Sequence, residues 1–200
     1  MYVKFIKRFL DIVISLTAIF MLSWLFLILF IVIKMDSKGP IFFKQKRVGI
    51  HKTHFYIHKF RTMRTDTPKD MPTHLLSNPE AYITKVGKFL RKSSLDELPQ
   101  LFDVLSGKMS LVGPRPALWN QYDLIEERDK YGANDVRPGI TGWAQINGRD
   151  ELEIPVKARF DGEYVAKIGF VMDCRCFFGT FLSVLRGDGV VEGGTGSMKK

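Results

Sequence analysis

Residues 12 to 33, IVISLTAIFMLSWLFLILFIVI, run for 22 positions without a charge. Wound as one helix they would extend roughly 33 Å, against a hydrocarbon core of about 30 Å. The run therefore predicts a membrane protein. A cleaved signal peptide is the competing reading, but the run is too long for an h-region and leads into KMDSKGP, with no A-x-A-like site. Lys4, Lys7 and Arg8 precede it, while Lys34, Lys38, Lys44, Lys46 and Arg47 follow. Both flanks read as cytoplasmic by the positive-inside rule, so the pattern favours a re-entrant helix over a single crossing. A bend in hydrocarbon needs internal partners for the freed backbone groups, and Ser or Pro often marks the place. Here Ser23 is present, followed by Trp24.

The remaining length suits one domain, so the chain divides into a membrane helix over 1–36 and a catalytic or binding domain over 37–200. GPIFFKQKRVGIHKTHFYIHKF predicts a β-hairpin turning at Val48–Lys52, with Gly49 as the turn signal. A polar loop spans 64–78. An amphipathic helix then opens at Pro79 and carries Tyr82, Ile83, Val86, Phe89 and Leu90 on its apolar face. Further helices are expected at 98–106, 117–131, 155–168 and 172–186, closed by Gly107, Gly132 and Gly187 where glycine follows. The stretches 112–116 and 136–150 are too rich in Gly and Pro for regular structure. The last helix, with CRCFFGTFLSVLR, is either a core helix or one that lies on the membrane surface. The fold class is α+β: a mostly helical single domain with a small hairpin, a re-entrant membrane helix and surface-lying amphipathic helices.

A formal charge of +9 implies an anionic partner without choosing between nucleic acid, phospholipid and phosphorylated small molecules. Ser94-Leu-Asp-Glu97 fits a capping box, with Ser94 as cap and Glu97 reaching back to its amide. On local pattern that reading leads, although Pro99 sits awkwardly deep in such a helix. Arg91 and Lys92 lie just upstream, and an Asp96 kept ionised at a positive helix end would serve as a nucleophile toward a phosphoryl centre. In VGPRP the two prolines stiffen the loop around Arg115, whose guanidinium can grip a phosphate with two hydrogen bonds. Lys59, Arg61, Arg137 and Arg149 are further cations, each weak alone. His54 and His58 lie about 13 Å apart along a strand, too far to share a metal. Cys174 and Cys176, as C-x-C without a second pair, suggest a reducing compartment.

The series FKQKRVG, KFRTM, SLDELPQLFDVLSGKMSLVGPRP and RPGITGWAQINGR, in this order after one apolar helix, closely resembles the bacterial sugar transferases, and among them the small monotopic phosphoglycosyl transferases. The resemblance implies transfer of a phosphosugar from a UDP-sugar to polyprenyl (undecaprenyl) phosphate, releasing UMP. It implies Asp96 as the nucleophile that forms a covalent phosphosugar intermediate, with Glu97 as its partner and Mg²⁺ held at this pair. Lys59, Arg91, Arg115, Arg137 and Arg149 would bind phosphate or line the site. Asp161 and Asp173 match acids of the family, their roles open. The partners implied are UDP-sugar, polyprenyl phosphate and membrane lipid, without nucleic acid; a homo-oligomer is left open. The location implied is the bacterial cytoplasmic membrane, with the catalytic domain facing the cytoplasm. Capsule-type relatives favour an N-acetylated hexose, UDP-galactose or UDP-glucose being the alternative. The family usually breaks its membrane helix at Ser-Pro, and Trp24 departs from that. The rival class is a membrane-tethered protein that holds anionic ligands without catalysis.

Overall fold

The apolar run does not form one helix. In the computed structural model, which describes residues 1–67, 79–148 and 152–186, it divides into α1 (Lys7–Met21) and α2 (Ser23–Asp36), bent by 62°. The break falls at Leu22, with φ −96° and ψ 7°, immediately before Ser23. Among the described residues no single helix is long and apolar enough to cross a membrane. A turn of π-helix, Tyr2–Ile6, leads into α1.

The face that α1 turns inward is its polar one. Lys7, Asp11 and Ser15, spaced by four, are buried, while Phe9, Leu16 and Phe20 are exposed. A helix in water would be arranged the other way round. Asp11 accepts hydrogen bonds from Ser110 Oγ (3.1 Å) and the Leu111 amide (2.9 Å). Arg8 donates to the carbonyls of Val104 (2.6 Å) and Leu105 (2.8 Å). At the far end, the Arg61 guanidinium donates to the carbonyls of Ser37 (2.6 Å) and Lys38 (3.1 Å), just beyond α2. Both ends of the bent pair are thus fastened to the same body.

The predicted hairpin forms from β1 (Phe42–Val48) and β2 (His54–Phe60), antiparallel with Phe42 opposite Phe60 and Val48 opposite His54. Its left-handed residues are His51 (φ 53°) and Lys52 (φ 58°), not Gly49, which is extended. Phe55 and Ile57 face a core with Val104 and Met109, while Phe60 joins Phe26, Leu29, Ile33 and Leu90. The hairpin therefore seats the N-terminal pair on one side and the helix α4 (Gln100–Leu105) on the other.

Two predicted helices begin later than expected, for the same reason. Helix α3 (Lys85–Lys92) starts not at Pro79 but after Thr84, whose Oγ1 accepts the Gly87 amide at 2.9 Å. Before it, Ile83 bridges Met63 and the Thr84 amide donates to the Thr62 carbonyl. Helix α5 (Tyr122–Asp129) is shorter than 117–131 because Ala117 and Leu118 pair with Val48 and Arg47 as an extension of the hairpin. In both places extended pairing to a strand displaces helix.

The Gly- and Pro-rich stretches, expected to be irregular, hold a second small sheet. Strand β3 (Ser110–Val112) pairs in parallel with β4 (Gly139–Thr141), and α6 (Trp143–Ile146) follows at once. A Cβ at Gly139 would stand 2.1 Å from the Gly113 amide nitrogen, so glycine is what lets these backbones meet. Helices α7 (Ile154–Ala166) and α8 (Phe170–Arg186) lie close to their expected limits. Helix α8 buries Met172, Asp173 and Cys176 and exposes Phe178, Phe181 and Leu182, so it has a core face and a second apolar face.

Candidate active site

Asp96 and Glu97 occupy a single 3₁₀ turn, Leu95–Glu97, between α3 and α4. The capping box does not form. Ser94 takes a left-handed conformation (φ 56°) and its side chain caps nothing. Pro99 is the residue before α4, where its missing N–H costs no helical bond, which removes the conflict the sequence posed. Glu97 turns instead toward two cations, Lys59 Nζ at 2.6 Å and Arg115 Nη2 at 3.0 Å.

The two neighbouring acids are therefore different. Burial would raise the Glu97 carboxyl, but the charges of Arg115 and Lys59, with their hydrogen bonds, overcome it and hold Glu97 far below the usual range. Asp96 is also buried, yet its carboxylate accepts no hydrogen bond among the described residues, and its nearest cation is Lys59 Nζ at 3.9 Å. Burial pushes its carboxyl up, Lys59 opposes this, and the Glu97 charge adds to it. The expectation that a positive helix end keeps Asp96 ionised is thus corrected: its turn is only Leu95–Glu97, and burial outweighs the charges of Lys59, Arg91 and Arg115 and pushes its carboxyl up. The result is a clamped carboxylate beside one whose oxygens are uncommitted.

Lys59 comes from β2 and Arg115 from the loop that follows β3, so strands of both small sheets deliver the cations. Arg91, in α3, touches neither acid but lowers the Asp96 carboxyl through its charge. Arg137 is tied elsewhere, its Nε donating to the Gly107 carbonyl at 3.1 Å, and makes no hydrogen bond or ion pair to Asp96 or Glu97. Arg61 serves the end of α2, as described above. Arg149 lies outside the described residues.

The acids left open find roles. Asp161 pairs with Arg128 at 2.6 Å in the interior, joining α7 to α5. Asp173 accepts from Tyr2 (2.6 Å), Lys7 (2.6 Å) and Tyr164 (2.7 Å), so one carboxylate ties the N-terminus, α7 and α8. Tyr164 continues to the Val112 carbonyl at 3.2 Å, two residues before Pro114. Sequence reasoning named Asp173 by resemblance and Lys7 as a flanking charge, and missed that Asp173 joins Lys7 with Tyr2 and Tyr164. His58 is held by Asp103 through its backbone amide (2.9 Å) and Nδ1 (2.8 Å), while His54 is exposed.

Among the described residues no three His, Cys, Asp or Glu side chains cluster to hold a metal. Mg²⁺ does not require such a cage, since it commonly takes one or two carboxylates together with substrate phosphate and water. The uncommitted oxygens of Asp96 beside Glu97 suit that donor set. They fit a cation that arrives with a diphosphate rather than one resident in protein ligands alone.

Residues 2–187 match the family described as bacterial sugar transferase. The chain is 39% identical over 187 residues to an uncharacterized sugar transferase, EpsL, of Bacillus subtilis (strain 168), an alignment covering 94% of this chain and 91% of that one. It is 40% identical over 197 residues to the exopolysaccharide production protein PSS of Rhizobium leguminosarum bv. phaseoli, covering 92% and 98%. It is also 38% identical over 186 residues to a UDP-glucose:undecaprenyl-phosphate glucose-1-phosphate transferase of Xanthomonas campestris pv. campestris, covering 90% of this chain but 38% of that protein. The chain spans nearly all of the two shorter relatives and well under half of the third.

Proposed function

The chain belongs to the bacterial sugar transferase family, and from that premise we propose that it moves a phosphosugar from a UDP-sugar to undecaprenyl phosphate. The observation that carries the reading is the division of labour between the adjacent acids. Glu97 is fixed as an anion that holds Lys59 and Arg115 in place, and Asp96 keeps its oxygens for reaction.

An Asp96 oxygen attacks the β-phosphorus of the UDP-sugar, forming a P–O bond as the bond to the α-phosphate oxygen breaks and UMP departs. The lipid phosphate then attacks the same phosphorus and displaces Asp96, giving polyprenyl diphosphate sugar and the free carboxylate. A carboxylate that burial makes more basic is a better nucleophile once ionised. Lys59 and Arg115 carry the positive charge that phosphoryl transfer needs near the bridging oxygens. Mg²⁺ bound with the diphosphate against Asp96 and Glu97 would neutralise further charge. The relative from Xanthomonas is named for UDP-glucose, and another from Aeromonas hydrophila for UDP-N-acetylgalactosamine. We favour an N-acetylated hexose, with UDP-glucose as the alternative.

Residues 1–36 would enter the cytoplasmic face of the bacterial membrane and return, leaving 37–200 in the cytoplasm. The inverted face of α1 supports this, because its exposed residues need an apolar surrounding. The shared anchorage of both ends supports re-entry over crossing, and a bend of 62° at Leu22 supplies the turn without proline. The exposed Phe178, Phe181 and Leu182 would rest on the same surface.

The test is UMP release by the purified full chain with undecaprenyl phosphate and a panel of UDP-hexoses and UDP-N-acetylhexosamines. Release that needs Mg²⁺ throughout, stops at about one equivalent per enzyme without lipid, continues over many turnovers with it, and disappears in Asp96→Asn, is expected. Salt-sensitive binding of anionic lipid with no release above Asp96→Asn would favour the non-catalytic tether instead.

A further inference from the structure

The loop that presents Arg115 cannot secure itself. Pro114 and Pro116 have no N–H to donate, so the chain from 113 to 118 must be held largely by its carbonyls. Its upstream end is bound to β4: the Gly113 amide donates to Thr141 (2.8 Å), and the Gly139 amide donates to Pro114 (2.9 Å). Its downstream end is bound to β1, where the Val48 amide donates to Ala117 (2.9 Å) and Arg47 bridges Leu118. Between these ends lies the Pro116 carbonyl, one residue past Arg115. It accepts Arg47 Nη1 at 2.9 Å, and Nη2 of the same guanidinium donates to Gln45 Oε1 at 2.6 Å.

We propose that Arg47 is a positioning residue for Arg115. It touches neither carboxylate; by fixing the Pro116 carbonyl it fixes where the Arg115 guanidinium meets Glu97 and any bound diphosphate. The planar fork serves two acceptors in one orientation, and a lysine at the same place keeps the charge but not that geometry. The hairpin then delivers both cations of the site, Lys59 directly from β2 and Arg115 through Arg47 of β1. The functional part of this inference rests on the reading of Arg115 as a phosphate-binding group.

A double-mutant cycle on the full chain in detergent tests it, with UDP as the binding probe and Arg47→Lys, Arg115→Lys and the double variant compared. Arg47→Lys is expected to weaken UDP binding about tenfold on the wild-type background and less than about twofold on the Arg115→Lys background. An equal loss on both backgrounds overturns the proposal, because a merely structural defect would not depend on Arg115. If Arg47→Lys does not fold, Gln45→Met replaces it in the same cycle, with the same two outcomes. If the wild type binds no UDP and releases no UMP, it is the proposed function that fails. Amide exchange then decides the positioning itself: Arg47→Lys must speed exchange in peptides over 113–118 while leaving 100–105 unchanged, and unchanged exchange at 113–118 overturns it.

Discussion

Replacing Lys59 by methionine keeps most of the side chain's shape and removes the cation that both acids share. Its Nζ stands 2.6 Å from Glu97 and 3.9 Å from Asp96, with only 16% of the side chain exposed. At an effective dielectric of about 20 these two attractions amount to about 6 and about 4 kcal/mol before desolvation is subtracted. Breaking a buried pair from one side leaves an uncompensated charge, for a net loss of about 3–5 kcal/mol. For a chain of this size each kcal/mol lowers the melting temperature by about 2–4 °C, so Lys59→Met should melt about 6–20 °C lower at pH 7. The sign of the pH dependence follows from Glu97. Its folded carboxyl lies below its unfolded value, so its contribution is present above the unfolded value and is lost as pH falls through the folded one. Without Lys59 the folded value rises, so in the variant this loss ends at a higher pH than in the wild type. Below that pH the wild type goes on losing stability while the variant does not, so the deficit of the variant should shrink as pH falls below about 4. Melting followed by tryptophan fluorescence in detergent, across this range, measures both quantities. A deficit below about 2 °C at pH 7, or one constant with pH, would refute the reasoning.

The Asp96 carboxyl is raised by burial, so its ionised form weakens the fold above the folded value and the penalty is relieved as pH falls. Asp96→Asn should therefore melt higher than wild type at neutral pH, with the difference closing in acid, while UMP release disappears. Asp173→Asn leaves Lys7 buried without its counter-charge, and should cost about 3–5 kcal/mol and speed amide exchange in the first ten residues; unchanged exchange there would contradict the anchoring role. A Cβ at Gly87 would stand 2.0 Å from the Thr62 carbonyl oxygen, whereas one at Gly169 would meet only Lys167 at 3.7 Å. Denaturant titration should find Gly87→Ala destabilising by about 1–3 kcal/mol and Gly169→Ala within about 0.5 kcal/mol of wild type.

The candidate pair Asp96 and Glu97 could be singled out from SLDELPQL, and the hairpin and the two C-terminal helices from their periodicity. What sequence misjudged was settled by distant partners. Glu97 satisfies a local capping pattern, but Lys59, 38 positions away, offers a charged partner that a backbone amide cannot match. Asp173 and Lys7 are 166 positions apart, so the spacing of polar residues on α1 signals a buried stripe without saying what it meets. Arg47 read as one of five basic residues following the apolar run, and its link to Pro116 depends on an extended pairing that no local signal encodes. The small parallel sheet was hidden because glycines that break strands in isolation are what allow two backbones to close within contact here. The bend at Leu22 shows the same limit: the proline expected at such a break is absent, and the anchors at both ends fix the geometry instead.

The central claim is that Asp96 carries the phosphosugar between its two hosts. Incubating the full chain with Mg²⁺ and its UDP-sugar, omitting undecaprenyl phosphate, and quenching in acid should trap that species. Peptide mass spectrometry should then find an adduct with the mass of the donor's phosphosugar on residues 93–108, fragmentation should place it on Asp96 rather than Asp103, and added undecaprenyl phosphate should chase it away. UMP release at full rate with no adduct at any time, or an adduct that persists in Asp96→Asn, would contradict the account.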